Sequence, residues 1–520
     1  MSDSEIEAKQ SMKVPALEQV GETVSDAALV RVATGSVLIL LGMLVARACG
    51  FLRQFLVIRM LSPASYGLFA LSLTIVTIIG TLGSLGLYQG AQRFIAYNMA
   101  KDDYAKVKGT IQSSLVMATM ASVVVMILAI VFAGPLASFF AKPGLTKIVV
   151  IMAPMVPFQI ISAMIMAYFL GLHKPAPNMV IQDIGFNAVS VIAILIALLI
   201  GRSVYAPAFA MTASALLLLL ASLYVFRSRF PLDLKTTRAF PISKSLIVFS
   251  LPLLLTASLY IVMQNTDTIV VGHFLSSAQV GFYNAAFLLM GLIPIFLGAV
   301  SIIYLPVATS LRAKSAQAES LRLYRSSTRW LFILTVPLFL TFFLFPAQTL
   351  SLLFGGRYVV ASTALWILSL GAFVNTFLGP NNLALIAYGE TGMVLYGSLV
   401  AVAIDITLCV LLVPRMGISG AAIGTASALG VSNIMYSFFL WFRHRLHPFE
   451  RNYIITIVFL FALGVALYKP LRAAINRADF LLLAVYPVFL IVGILFIILT
   501  RSISDEDRLL WKLIRDKFRR

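Results

Sequence analysis

Residues 46–70 read ARACGFLRQFLVIRMLSPASYGLFA, and the rest of the chain is organised around this stretch. Two arginines, Arg47 and Arg53, stand inside an otherwise apolar helical run. A short breaker follows at Ser62-Pro63, and then a second helix begins. The stretch also has an echo. LSPASYGLF at 61–69 returns as LSSAQVGFY at 275–283, with Leu61/Leu275, Ser62/Ser276, Ala64/Ala278, Gly67/Gly281 and Phe69/Tyr283 in register. The same breaker therefore joins the first and second helices of two related halves. At that offset of 214 residues, Arg53 falls on Asp267.

Working outward, composition fixes the solvent. Of 520 residues, 60% are hydrophobic and 11% charged, with a mean hydropathy of +0.98. A water-soluble chain of this length has no way to hide so much apolar surface, so the surroundings are lipid. The 39 Lys and Arg exceed the 20 Asp and Glu, for a net charge of +19. In a membrane protein this excess marks cytoplasmic loops facing anionic lipid rather than a nucleic-acid partner. Cys49 and Cys409 both sit in apolar helices, which excludes a disulfide framework and offers no metal spacing. The polar first 30 residues lack a charged start followed by an apolar core, so they read as a disordered cytoplasmic tail rather than a signal peptide.

About 20 apolar residues are needed to cross the hydrocarbon as a helix. That criterion gives an all-α integral membrane protein with fourteen expected spans: 33–58, 66–90, 109–133, 147–171, 179–201, 204–226, 245–271, 280–304, 330–354, 360–388, 393–413, 418–442, 453–468 and 480–500. The thirteenth is the shortest. With the N-terminus inside, 28 Lys and Arg fall on inside segments and 9 on outside ones, so both termini are expected in the cytoplasm. The organisation read from the chain is a tail (1–30), a six-helix front lobe (31–228), a basic linker (229–244), a six-helix back lobe (245–443), two further helices (444–500) and a basic tail (501–520). Parallel six-helix repeats of this kind are a transporter architecture. In the final tail, Leu510, Leu513, Ile514 and Phe518 share a helical face, with basic residues elsewhere, which suits a helix lying on the anionic inner leaflet.

The segment Arg47-Ala-Cys-Gly50-Phe51-Leu-Arg53, with LSPASYGLF and the second-half Asp267 and LSSAQVGFY, resembles the Wzx-type polysaccharide flippases of the multidrug/oligosaccharidyl-lipid/polysaccharide exporter superfamily. The first-helix pattern is also similar to that of the lipid II flippases. The resemblance covers about residues 30–443 in topology, whereas the specific motifs occupy two short windows. It implies two lobes around a cavity that opens alternately to each side of the cell membrane. The implied cargo is a polyprenyl-(di)phosphate-linked oligosaccharide, and a glycan polymerase or ligase would be a fitting partner. It implies no cofactor, and leaves proton, sodium or membrane potential open as the driving force.

Arg47 lies ~20 Å along the helix from Thr34, a depth at which arginine normally faces protein or water rather than lipid. Guanidinium groups bind phosphate through paired hydrogen bonds, which makes Arg47 and Arg53 candidates for the lipid diphosphate. Six residues correspond to 240° of rotation, so the two do not share a helix face. For Arg47 the plain alternative is an interhelical ion pair; for Arg53 it is snorkelling to the outer interface.

Tyr260, Gln264 and Asp267 follow an i, i+4, i+7 stripe, with Asp267 able to pair with an arginine or to bind a coupling cation. Asp183, with Asn187 four residues later and Ser190 beyond it, and Asp405 are further coupling-ion candidates, because intramembrane acids are costly. Asn375, Gly379 and Asn382 are expected on one face of the tenth span, facing sugar or forming a hinge. For Asp267 and Gln264, and for the Asn375 group, the plain alternative is helix packing; for Asp183, near the inner end of its helix, it is exposure to the cytoplasm.

No HExxH, GxSxG or metal-ligand cluster appears, so no catalytic residue is expected and the chain reads as a transporter rather than an enzyme. Two other readings stand beside the flippase. One is a cation-coupled multidrug antiporter of the same superfamily; the other is a non-transporting scaffold of an envelope glycan assembly complex.

Overall fold

A computed structural model describes residues 42, 45–230, 240 and 243–499. The two expected tails, most of the inter-lobe linker and the first part of the first expected span lie outside the described residues.

The described chain is mainly helical, with short turns between helices, and no strand occurs among the described residues. In the front half, α1 covers 45–60 and is followed by α2 (Pro63–Gly83), α3 (Leu87–Met99), α4 (Tyr104–Val131), α5 (Ala133–Phe139), α6 (Gly144–Met152) and α7 (Met155–Gly171). A π-helical turn at Met179–Gly185 then leads into α8 (Phe186–Ile200), with α9 (Tyr205–Arg229) closing the half. The back half runs through α10 (Ser243–Phe274), α11 (Ser277–Met290), α12 (Ile295–Ala313), α13 (Gln317–Leu344), α14 (Pro346–Phe354), α15 (Ser362–Phe377), α16 (Asn381–Ala387), α17 (Thr391–Met416) and α18 (Ile418–His444). The last pair is α19 (Arg451–Arg477) and α20 (Val485–Leu499).

Among the described residues, eleven helical stretches are long and apolar enough to cross a membrane, or twelve if the pair Ser277–Met290 and Ile295–Ser301, bent by 45°, counts as one. This is coarser than the fourteen expected. The first expected span is described only in part. The seventh belongs to α10, whose apolar section is Ser243–Leu255 before the polar run Gln264, Asn265, Thr266, Asp267. The thirteenth proves longer than expected, at Tyr453–Ile475. Large apolar side chains point outward along many helices: Ile200 is 85% exposed and Val465 76%. That is a liability in water and the required surface in lipid.

The echoed motifs fold alike and meet each other. Ser62 and Ser276 each cap a helix, accepting from the backbone N–H of Ser65 (3.2 Å) and Gln279 (3.4 Å). The helices they open, α2 and α11, then cross so closely that a Cβ on Gly67 would lie 1.8 Å from the Ser277 carbonyl oxygen, and one on Gly281 2.1 Å from that of Pro63. Only glycine fits either position. Further along, Gly86 turns the chain at φ +64° between α2 and α3, with its backbone against Ser250 and Leu254 of α10. The front half therefore grips the back half at two levels along one helical rod. A single apolar core runs through both halves, from Val57 and Ile111 to Val280 and Leu365. The last two helices are docked rather than detached: Tyr453 and Phe461 join Phe332, Phe339, Phe373 and Phe377 in an aromatic cluster, and the Tyr453 hydroxyl donates to the Phe377 carbonyl (2.7 Å).

Candidate functional site

Two polar clusters stand out within the helices, one in each half. In the front half, α1 lies along the start of α8, where a Cβ on Gly50 would be 3.4 Å from Asn187 Oδ1. That approach brings Arg53 Nη1 to Asn187 Oδ1 (3.3 Å) and Ser190 Oγ (3.4 Å), with the guanidinium carbon 5.9 Å from the centre of the Phe186 ring. The acceptors are themselves fixed, because Asn187 Nδ2 donates to the Asp183 carbonyl (2.8 Å) and Ser190 Oγ to that of Asn187 (2.9 Å). The π-helical turn just before them resets the helical register, a device common at functional sites. Asp183 lies in this turn, half-buried, and accepts from Asn178 Nδ2 (3.4 Å). Among the described residues, Arg53 has no acidic partner. Its positive charge is held by neutral oxygens and one aromatic face. Arg47 is exposed, on a different side of α1 as the 240° rotation requires, and has no hydrogen bond among the described residues.

The back-half cluster is acidic. Asp267 is 2% exposed and accepts from the Tyr283 hydroxyl (2.5 Å) and the Thr268 backbone N–H (2.7 Å). Tyr283 Oη also meets Thr425 Oγ1 (3.1 Å), and Thr425 Oγ1 reaches Asp405 Oδ1 (3.4 Å). Asp405, 5% exposed, accepts in addition from the Cys409 thiol (3.5 Å). Two buried carboxyls are thus linked through two hydroxyls across α10, α11, α17 and α18. Close approach of α17 and α18 is what permits the link: a Cβ on Gly424 would stand 2.6 Å from Cys409 Sγ. Such a set can share a proton or hold a small monovalent cation between carboxylate and hydroxyl oxygens. No group of three or more His, Cys, Asp or Glu able to hold a metal ion occurs among the described residues.

Several sequence expectations change here. Asp267 pairs with Tyr283 rather than with an arginine. Gln264 is exposed while Asp267 is buried, so the expected stripe straddles the edge of the packed face; positions three apart differ by about 60° around a helix. Asn375, Gly379 and Asn382 do not share a continuous face. Gly379, at φ +81°, and Pro380 end α15, and Asn382 belongs to α16 beyond the break. The buried amide in that region is Asn381, donating to the Asn433 carbonyl (3.0 Å) and Ser437 Oγ (3.1 Å), while Asn375 and Asn382 are half-buried.

Tyr283, Thr425 and Cys409 were missed as site residues. Tyr283 alone left a signal: the echoed motif has Phe69 in the first copy and gains a hydroxyl in the second.

With this geometry in view, comparison with known proteins adds the family. Residues 32–311 match the family described as "Polysaccharide biosynthesis protein". The chain belongs to this family. It is also 24% identical over 174 residues to the probable low-salt glycan biosynthesis flippase Agl15 of Haloferax volcanii, an alignment covering 34% of this chain and 37% of that protein. The fold is shared with the lipid II flippase MurJ in an inward closed conformation: TM-score 0.71 at 14% identity, over 90% of this chain and 99% of MurJ. An inward-facing multidrug transporter of the MATE family follows at TM-score 0.62 and 15% identity, over 77% of this chain and 94% of that one. The chain is thus a multi-pass membrane protein that shares its fold with these solved flippase and multidrug-transporter structures.

Proposed function

We propose that this protein moves a polyprenyl-(di)phosphate-linked oligosaccharide from the cytoplasmic to the outer leaflet of the cell membrane, for cell-surface polysaccharide or glycan assembly. In this reading two six-helix lobes rock against each other to open a central path alternately to each side, both termini lie in the cytoplasm, and the last two helices complete fourteen spans. The observation that carries it is Arg53. A guanidinium held within apolar helices by neutral acceptors, with no carboxylate on it among the described residues, is a place prepared for an anion. A phosphate carried on a lipid tail supplies that anion, and Arg47 on the same helix adds a second cation on the approach. The Asp267–Tyr283–Thr425–Asp405 cluster serves the driving step. Loading a proton or a monovalent cation between the two carboxyls changes how tightly α10, α11, α17 and α18 hold together. Asp183 is the weaker coupling candidate, and Gln264, Asn375 and Asn382 contact the sugar.

The test is mass spectrometry of lipids co-purified from native membranes with the unsubstituted protein and with the Arg47→Ala/Arg53→Ala variant. A polyprenyl-phosphate glycan retained by the first and lost from the second is the expected result. Absence from both, with drug binding that depends on Asp267 or Asp183, would replace this reading with the antiporter.

A further inference from the structure

Besides the two polar clusters, the halves are joined by contacts between loops that lie on the outer side in the expected topology. Lys142 follows α5 in the front half. Ala141 takes a left-handed turn (φ +51°); its N–H bonds to the Ser138 carbonyl (3.0 Å) and that of Lys142 to the Ala137 carbonyl (2.8 Å). This is a Schellman close to the helix, followed by Pro143. It aims the Lys142 side chain out of its own half. Lys142 is 7% exposed, and its ammonium donates to the Phe140 carbonyl (3.0 Å), to the Leu275 carbonyl (2.9 Å) and to the carbonyl of Gly272. Gly272 and Leu275 are the last turn of α10 and the residue after it, where carbonyls have no intrahelical donor and the helix dipole is negative. Beside it, His273 Nδ1 lies 3.1 Å from the Phe139 carbonyl oxygen and its ring stacks on Phe139 at 4.5 Å.

The same arrangement recurs in mirror roles. At an offset of 215 from Lys142, close to the 214 of the echoed motif, stands Arg357 of the back half. Its Nη2 donates to the Arg59 carbonyl at the end of α1 (3.3 Å), and the neighbouring Tyr358 hydroxyl donates to the Ile58 carbonyl (3.3 Å). Each half therefore sends a cation from one loop onto the C-terminal end of the other half's first helix. Between these contacts lies the glycine crossing of α2 and α11.

We propose that Lys142 and Arg357 are a reciprocal latch that holds the outer mouth shut, with Lys142 the principal member because it is buried. The idea rests on the alternating-access reading above. Opening the outer side pulls the α10 end away from Lys142 and leaves both its carbonyls and the ammonium to be rehydrated. The latch is made of carbonyl dipoles, with no carboxylate on Lys142 among the described residues, so it can be remade each cycle without releasing a buried ion pair.

The experiment is a distance measurement by pulsed electron resonance on the full chain in lipid nanodiscs. Spin labels go on the exposed positions Ser138→Cys and Gly356→Cys, with Cys49→Ala and the buried Cys409 kept. The unsubstituted latch should give a predominantly short distance. Lys142→Met should add a longer population and raise the open-to-closed ratio about tenfold. Lys142→Arg should shift it less, and Arg357→Met less than Lys142→Met. If Lys142→Met gives no monodisperse protein, Lys142→Gln takes its place, with a smaller rise in the same direction. A wedge, Gly281→Leu, is run in parallel, because any side chain there must force α2 and α11 apart. If the wedge lengthens the distance and the Lys142 variants do not, the latch is overturned and alternating access stands. If a folded wedge variant also leaves the distance unchanged, the rocking of the halves fails as well.

Discussion

The two halves of this protein hold opposite charges at equivalent places. Where the front half has Arg53, the back half has Asp267, 214 residues on. The arginine is half-buried and held loosely, by two acceptors at 3.3 and 3.4 Å. The acid is buried and held tightly, by donors at 2.5 and 2.7 Å, within a network that reaches a second acid. Loose contacts to neutral groups are easily exchanged for a phosphate, whereas a closed network responds to the arrival of a proton or ion by rearranging. In the proposed function the two equivalent places take different jobs, cargo in front and driving force behind.

That division can be broken by substitution. The largest effect is expected from Arg53→Ala, which should lower translocation of a fluorescent polyprenyl-phosphate glycan in proteoliposomes roughly 10²-fold, the scale of losing a paired guanidinium–phosphate contact of about 2–3 kcal/mol. Its dependence on proton or sodium gradients should be unchanged, and Arg53→Lys should recover only part of the rate, because an ammonium lacks the planar fork. If Arg53→Ala altered the gradient dependence and left cargo binding intact, the assignment of jobs would be reversed.

Next in size is Asp267→Asn, which keeps an acceptor for Tyr283 and removes the charge. It should abolish gradient dependence and slow transport about tenfold, with bound cargo still found by mass spectrometry. A smaller effect is expected from Thr425→Val, which deletes the hydroxyl between Tyr283 and Asp405. About 1 kcal/mol of stability should be lost in thermal unfolding, and Asp267→Asn should add little to it, since both act through one network.

The smallest effect lies away from both clusters and serves as their control. In the loop after α18, His447 Nε2 lies 3.0 Å from Arg325 Nη2 and therefore accepts as a neutral ring. Burial, and then the Arg325 charge, push its pKa below the ordinary 6.5, with only a backbone hydrogen bond opposing. Below pH 6.5 the unfolded chain takes up a proton that the folded ring refuses, so stability falls as pH drops from there towards the folded pKa. At this half-exposed site the loss should be a few tenths of a kcal/mol, and His447→Gln should flatten that part of the stability–pH curve without touching transport.

How much of this was legible depends on how local each feature is. The helical class, the place of eleven or twelve of the fourteen expected spans and the two breakers follow from runs of apolar residues and from Ser62-Pro63 and Ser276, because backbone groups in lipid have to be satisfied within the segment that carries them. The echo at 275–283 was legible as well, and among its changes Phe69 to Tyr283 adds a hydroxyl where the acid needs a donor.

Asn375, Gly379 and Asn382 misled for the opposite reason. Their spacing suits a helix face, but Gly379 packs its backbone against the Thr328 side chain, where a Cβ would be 2.0 Å from Oγ1, and the chain turns there. By itself, then, the sequence determined that this is a helical membrane protein with a motif at 61–69 echoed at 275–283, two arginines ahead of the first copy and an acid ahead of the second. Only the tertiary structure decided which polar groups meet: Arg53 with Asn187, Asp267 with Tyr283, and Lys142 with the end of α10. Those meetings join residues up to 134 positions apart, and they depend on how far each helix is rotated and how closely glycine lets its backbone approach a neighbour. Hydropathy and spacing within one helix carry no information about either.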